Sequence, residues 1–245
     1  VSRRDRPSVA DRFSGLKITR GALVILALEV GLSLVWLMSD PAARKGIEDW
    51  LGATPSSVFE HGRVWTLVTG LFLEKSFLGL ILHGMVLWMF VPTLERFWGT
   101  ARFYRFAAVT GIVGSAAGVG LGFALGTNDP ILGLSGFIYA TIVAFGIVYA
   151  RQQVQFFGVL PLTGRQLMYG IIGFVLFFIV IQQFWALGAA FAGSMITAAV
   201  MTSKKFSPGL AWKRWRIARA RAKLSVIEGG KAREPKKPAE QKWLN

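Results

Sequence analysis

One hydroxyl stands apart by its setting. Ser135 lies in Gly133-Leu134-Ser135-Gly136, at the mouth of an apolar run from Leu132 to Ala150. Flanking glycines let other backbones approach closely, and a serine becomes a nucleophile for acyl transfer when a base takes its proton. Bases are scarce here: the chain has two histidines, His61 and His83, and no cysteine, which excludes disulfides and thiolate metal sites. His83 falls inside an apolar run, where a histidine is a functional candidate by default, whereas His61 lies in a polar loop and reads as solvated. His83 is either a relocated base for Ser135 or a neutral imidazole filling a polar niche. The second reading is preferred, because proton transfer requires both hydrogen-bond reach and orientation. Glu29 stands in the middle of the first apolar run, as a protonated, hydrogen-bonded carboxyl within a bundle or as a contact for a partner. Glu74 and Lys75 are expected to reach to the outer interface. No Asp/Glu/His cluster has metal-ligand spacing and no loop is built to cradle phosphate, so neither metal nor cofactor is expected.

The elements that must hold these residues are membrane helices. Of 245 residues 53% are hydrophobic and 17% charged, too apolar for a soluble domain of this size, and runs long enough to cross the hydrocarbon core recur. The fold class expected is all-α, a polytopic bundle of six transmembrane helices: 18–38, 77–94, 103–125, 132–150, 167–181 and 185–202. The third is rich in glycine, which favours close helix packing. Four segments result: a cytoplasmic N-terminal stretch 1–17, the membrane domain 18–202, a basic amphipathic helix within 203–230, and a flexible tail 231–245. The N-terminal stretch is polar and does not read as a cleavable signal peptide. Every even connection is basic (Arg96, Arg102 and Arg105; Arg151 and Arg165) and the odd ones are not, which places both termini in the cytoplasm and suggests a bacterial inner membrane.

Further motifs now acquire context. Gly62-Arg63-Val64-Trp65-Thr66, then Glu95-Arg96-Phe97-Trp98-Gly99, then Gly133-Leu134-Ser135-Gly136 with Tyr139, occur in the order and spacing of a rhomboid, and the segment 18–202 resembles the six-helix rhomboid core. The resemblance implies structural roles for Gly133, Gly136, Tyr139, Glu95 and Gly99, with Glu95 accepting hydrogen bonds from the adjacent loop. It also implies an intramembrane serine protease in which a histidine on the sixth helix activates the serine. That histidine position falls on Ala186, and the family's oxyanion-region histidine and asparagine fall on Gly79 and His83. The connection before the sixth span is short, with Phe184 and Trp185 suggesting a plugged site. A dyad that loses its base typically loses several orders of magnitude in rate. The expectation is therefore a pseudoprotease, not an enzyme, with Ser135 vestigial, that binds transmembrane clients or serves as a subunit of a membrane complex. An active serine endopeptidase using Ser135 with His83 is the alternative.

The net charge of +15 is concentrated at the C-terminal end, where thirteen basic residues follow Ser203 against three glutamates. Beside a membrane span this is a topology signal or a lipid contact and not a nucleic-acid arm. Trp212, Arg214, Trp215, Arg216, Arg219, Arg221 and Lys223 form a basic helix with tryptophans, the pattern of a segment lying on anionic headgroups or docking a partner.

Overall fold

The computed structural model describes residues 18–156, 160–203 and, in the tail, 216, 217 and 219. The chain is mostly helical. Helix α1 is Arg20–Met38, and a first loop follows that contains α2 (Pro41–Leu51), a π-helical turn (Ser56–Glu60) and the single turn α3 (Thr66–Thr69). Then come α4 (Phe77–Trp98), α5 (Thr100–Leu125) and α6 (Ser135–Val148). A hairpin of β1 (Gln153–Phe156) and β2 (Leu160–Thr163), antiparallel with Gln153 opposite Thr163, leads to α7 (Gly164–Gln182) and α8 (Trp185–Thr202). The hairpin is a correction to the purely helical expectation.

Five helices, α1, α4, α5, α7 and α8, are long and apolar enough to cross a membrane. The fourth expected span, 132–150, forms as the 14-residue α6, roughly 21 Å long against a hydrocarbon core of about 30 Å. Its start is set by backbone geometry. Gly133 adopts φ +80°, a conformation that favours glycine. Ahead of it, Ile131 N donates to Ala53 O (2.8 Å) and Gly133 N to Gly70 O (3.0 Å). The entry to α6 is thereby tied to the first loop, and Ser135 becomes the first helical residue.

Three other helix N-termini are capped by short-range chemistry. Asp40 accepts from Ala42 N and Ala43 N with Pro41 in the first turn of α2, Ser76 Oγ accepts from Gly79 N at the start of α4, and Thr163 and Gln166 form a capping box on α7. Thr19 makes no such bond. Instead Glu95 Oε1 reaches from α4 to accept from Gly21 N (3.1 Å) and also from Thr100 Oγ1 (2.8 Å). Glu95 thus bonds the first residue of α5 and joins α4 to the first turn of α1. Gly99, at φ +78° between α4 and α5, makes the tight turn.

At the centre, α6 packs against α4, α5, α7 and α8, and Phe137, Ala140, Ile142 and Ala144 are buried. Phe137 meets Phe103 and Phe106, each at 6.2 Å between ring centroids. Outward faces are equally apolar: Leu23, Val35, Phe174, Phe177 and Ile181 are exposed. In water such a surface would be a liability, but in lipid it is the expected exterior, and packing rather than water exclusion drives helix association. The glycines of α5 serve that packing. Gly114 faces Ser194 Oγ and the Ala190 carbonyl, and Gly118 faces the Ala186 carbonyl. Gly120, in contrast, faces open space.

The C-terminal residues Ser207–Asn245 form a separate unit. Arg216, Ile217 and Arg219 are helical there, with exposed side chains. Trp212, Arg214, Trp215, Arg221 and Lys223 lie outside the described residues.

Candidate functional site

Three helices and one loop converge on His83. It sits two turns into α4 and is 7% exposed. Its Nε2 lies 3.0 Å from Ser135 Oγ, on the first turn of α6. Its Nδ1 lies 2.6 Å from Glu29 Oε1 on α1, and Glu29 is completely buried. The expected pairing of Ser135 with His83 is therefore present, together with a third member. With Glu29 ionised the carboxylate can only accept, so Nδ1–H donates to it and Nε2 is left to accept the Ser135 O–H. That is the tautomer in which an imidazole takes a proton from a serine, oriented by a carboxylate on its far side. Breaking a buried pair of this kind typically costs about 3–5 kcal/mol.

Glu29 thus faces the bundle, hydrogen-bonded to His83, as in the first of its two sequence readings and not as a contact for an outside partner. Glu74 is the larger correction. It does not extend to the outer interface but folds into the site, where its Oε2 is 3.8 Å from His83 Nδ1. Its backbone N donates to Ser33 Oγ (2.9 Å) and its Oε1 accepts from Ser76 N (2.9 Å), which locks the turn. Two glycines make room for it. A Cβ at Gly79 would sit 2.8 Å from Glu74 Oε1, and one at Gly133 2.6 Å from Glu74 Oε2. The oxyanion-region position Gly79 is consequently occupied by a carboxylate from the preceding loop. Lys75 points away and pairs with Glu48 at 2.7 Å.

On α8, Ala186 does not face Ser135's turn. Its carbonyl lies against Gly118 and its Cβ against Gly122. The α8 residues that meet Gly136 are Phe191 and Ser194, and the Phe191 ring packs edge-on against Tyr139 with centroids 5.0 Å apart. The reason is packing: α8 slides until its small residues Ala190 and Gly193 reach Gly114, Gly118 and Ala117 of α5. Phe191 was not legible as a site neighbour from motif order, although the four-residue step from Ser135 to Tyr139 marks the helix face it covers. Phe184 and Trp185 are not a plug over Ser135. They are half-exposed and border a cavity of about 260 Å³ together with Asp129 and Ala186. His61 is exposed, with its Nδ1 3.0 Å from the Ser56 carbonyl.

Glu74 and Ser33 were missed by sequence reasoning. A usable signal existed. Glu29 and Ser33 are spaced i, i+4 on an otherwise apolar helix, so they share one face, and that face must meet polar partners.

The fold is a multi-helix bundle of the kind that spans membranes, and within it Ser135, His83 and Glu29 are hydrogen-bonded in series. The family is shown by comparison: the model of the family described as "Eukaryotic integral membrane protein (DUF1751)" matches residues 20–203, and the chain belongs to that family. It is also similar to the "Putative rhomboid protease YdcA" of Bacillus subtilis (strain 168), with 38% identity over 55 residues. That similarity takes in 22% of this chain and 28% of the relative's length. Together these support a rhomboid-like membrane protein.

Proposed function

We propose that the protein is an intramembrane serine hydrolase of rhomboid-like type, acting on an acyl bond of a membrane-embedded peptide segment. The observation that carries this reading is the continuous series Ser135 Oγ, His83 Nε2, His83 Nδ1 and Glu29 Oε1, with links of 3.0 and 2.6 Å. Ser135 Oγ attacks the carbonyl carbon while His83 Nε2 takes its proton. Glu29 stabilises the imidazolium that forms. The backbone N–H groups of the first turn of α6 have no intrahelical carbonyl to bond and are available to the developing oxyanion. His83 then returns the proton to the leaving group, and water completes the cycle. In this reading six segments cross the membrane, both termini face the cytoplasm of a bacterial inner membrane, and the basic tail lies on anionic headgroups.

A second reading, the pseudoprotease that binds transmembrane clients or assembles into a complex, is supported by Glu74. A carboxylate seated over Gly79 and Gly133 opposes any negative charge developing there, and no histidine stands on α8. One experiment separates the two. The full chain in native membranes is treated with a fluorophosphonate probe and a transmembrane model substrate. The hydrolase reading expects labelling and cleavage that both Ser135→Ala and His83→Ala abolish. Absence of both from the intact protein supports the binding reading.

A further inference from the structure

We propose that Glu29, Glu74 and His83 form a binding site for a first-row divalent cation such as Zn²⁺, and that its occupancy switches off His83 as a base. One ligand atom from each residue lies within 4.8 Å of the other two. One imidazole nitrogen with two carboxylates is a donor set that zinc accepts, leaving a further position for water. The residues come from three separate segments: α1, the end of the first loop, and α4.

Two features beyond proximity point to a cation. The second oxygen of the Glu29 carboxylate, Oε2, is buried without a hydrogen-bond partner, on a side chain of 0% exposure. A buried carboxylate oxygen left unsatisfied is costly, and a cation would satisfy it. The second feature is charge. Two carboxylates face one imidazole, and among the described residues neither forms an ion pair with a lysine or arginine. Even a protonated His83 leaves this cluster net negative when both carboxylates are ionised. Outside water such an excess is strongly unfavourable, and a divalent ion reverses it.

The consequence for Ser135 follows from imidazole chemistry. A cation on Nδ1 takes the lone pair of that nitrogen, so the ring proton resides on Nε2. There it donates to Ser135 Oγ and has no lone pair to accept the hydroxyl proton. Removal of the ion returns the proton to Nδ1, where Glu29 holds it. This switch rests on the hydrolase reading, whereas the cation site does not.

Untagged full-length protein in mild detergent, stripped with chelator, is titrated calorimetrically with Zn²⁺. The result expected is saturable binding of one ion per chain, weakened by about tenfold or more in Glu74→Gln and retained in Ser135→Ala and His61→Ala. No saturable binding, or equal affinity in Glu74→Gln and His83→Gln (adventitious zinc only), overturns the site. Fluorophosphonate labelling is followed in parallel. Suppression by saturating Zn²⁺ and recovery with chelator supports the switch, and labelling that persists on the zinc-bound protein overturns it. Protein that binds zinc as stated but is never labelled keeps the site and removes the hydrolase reading. Protein that is labelled but binds no zinc does the reverse.

Discussion

At the residue scale the decisive side chain is Glu29, which a serine–histidine pair alone does not require. Its 2.6 Å contact with His83 Nδ1 orients the ring and, with Glu29 ionised, sets the tautomer. Glu29→Gln keeps the volume but offers an amide that can present N–H to Nδ1, turning the ring to the wrong tautomer. Under the hydrolase reading proposed above, the expected loss in the rate of Ser135 labelling is about 10²–10⁴-fold, by analogy with triads that lose their carboxylate, with the fold retained by circular dichroism and gel filtration. Glu29→Leu leaves His83 Nδ1 buried and unpartnered, so a lower thermal midpoint is expected in addition. Ser135 and His83 were legible as a candidate pair because a hydroxyl among glycines and a histidine in an apolar run are each rare. Glu74 was not legible as a member. Its inward turn depends on a bond from its own backbone N to Ser33, 41 residues away, and no local pattern encodes that.

At the element scale the site depends on how closely α5, α6 and α8 approach. A Cβ on Gly118 would lie 2.8 Å from Ala190 Cβ and 3.0 Å from the Ala186 carbonyl, and backbone on a packed helix yields little. Gly118→Val is therefore expected to destabilise by about 1–3 kcal/mol, read as a lower melting midpoint in detergent. Gly120→Ala, which faces open space, serves as the control and should change the midpoint little. The apolar runs located the helices well, since length and hydropathy alone decide them. What they could not locate was the start of α6 at Ser135, which is set by Gly133 and by backbone bonds to Ala53 and Gly70 in another segment. The β1–β2 hairpin was likewise hidden, because four-residue strands carry too little alternation to register.

At the scale of the whole molecule, the charge asymmetry between connections makes a prediction about sidedness. Reporters fused to either end, active only in the cytoplasm, should both be active, and moving Arg96, Arg102 and Arg105 out of the α4–α5 connection should weaken that orientation. One inactive reporter with the other active would remove the even-span topology. The brevity of α6 bears on how such a molecule is made. A segment of about 21 Å is a poor stop for the translocation machinery on its own, and its flanks at Gly133 and Tyr149 do not extend the helix. Its retention draws on neighbours already in place or still to come, among them α8, which follows it in the chain and packs on both α5 and α6. The serine-bearing helix thus gains one of its main packing partners only after α8 has been made. A nascent chain stalled before Trp185 would leave bare the faces of α5 and α6 that α8 covers in the complete fold.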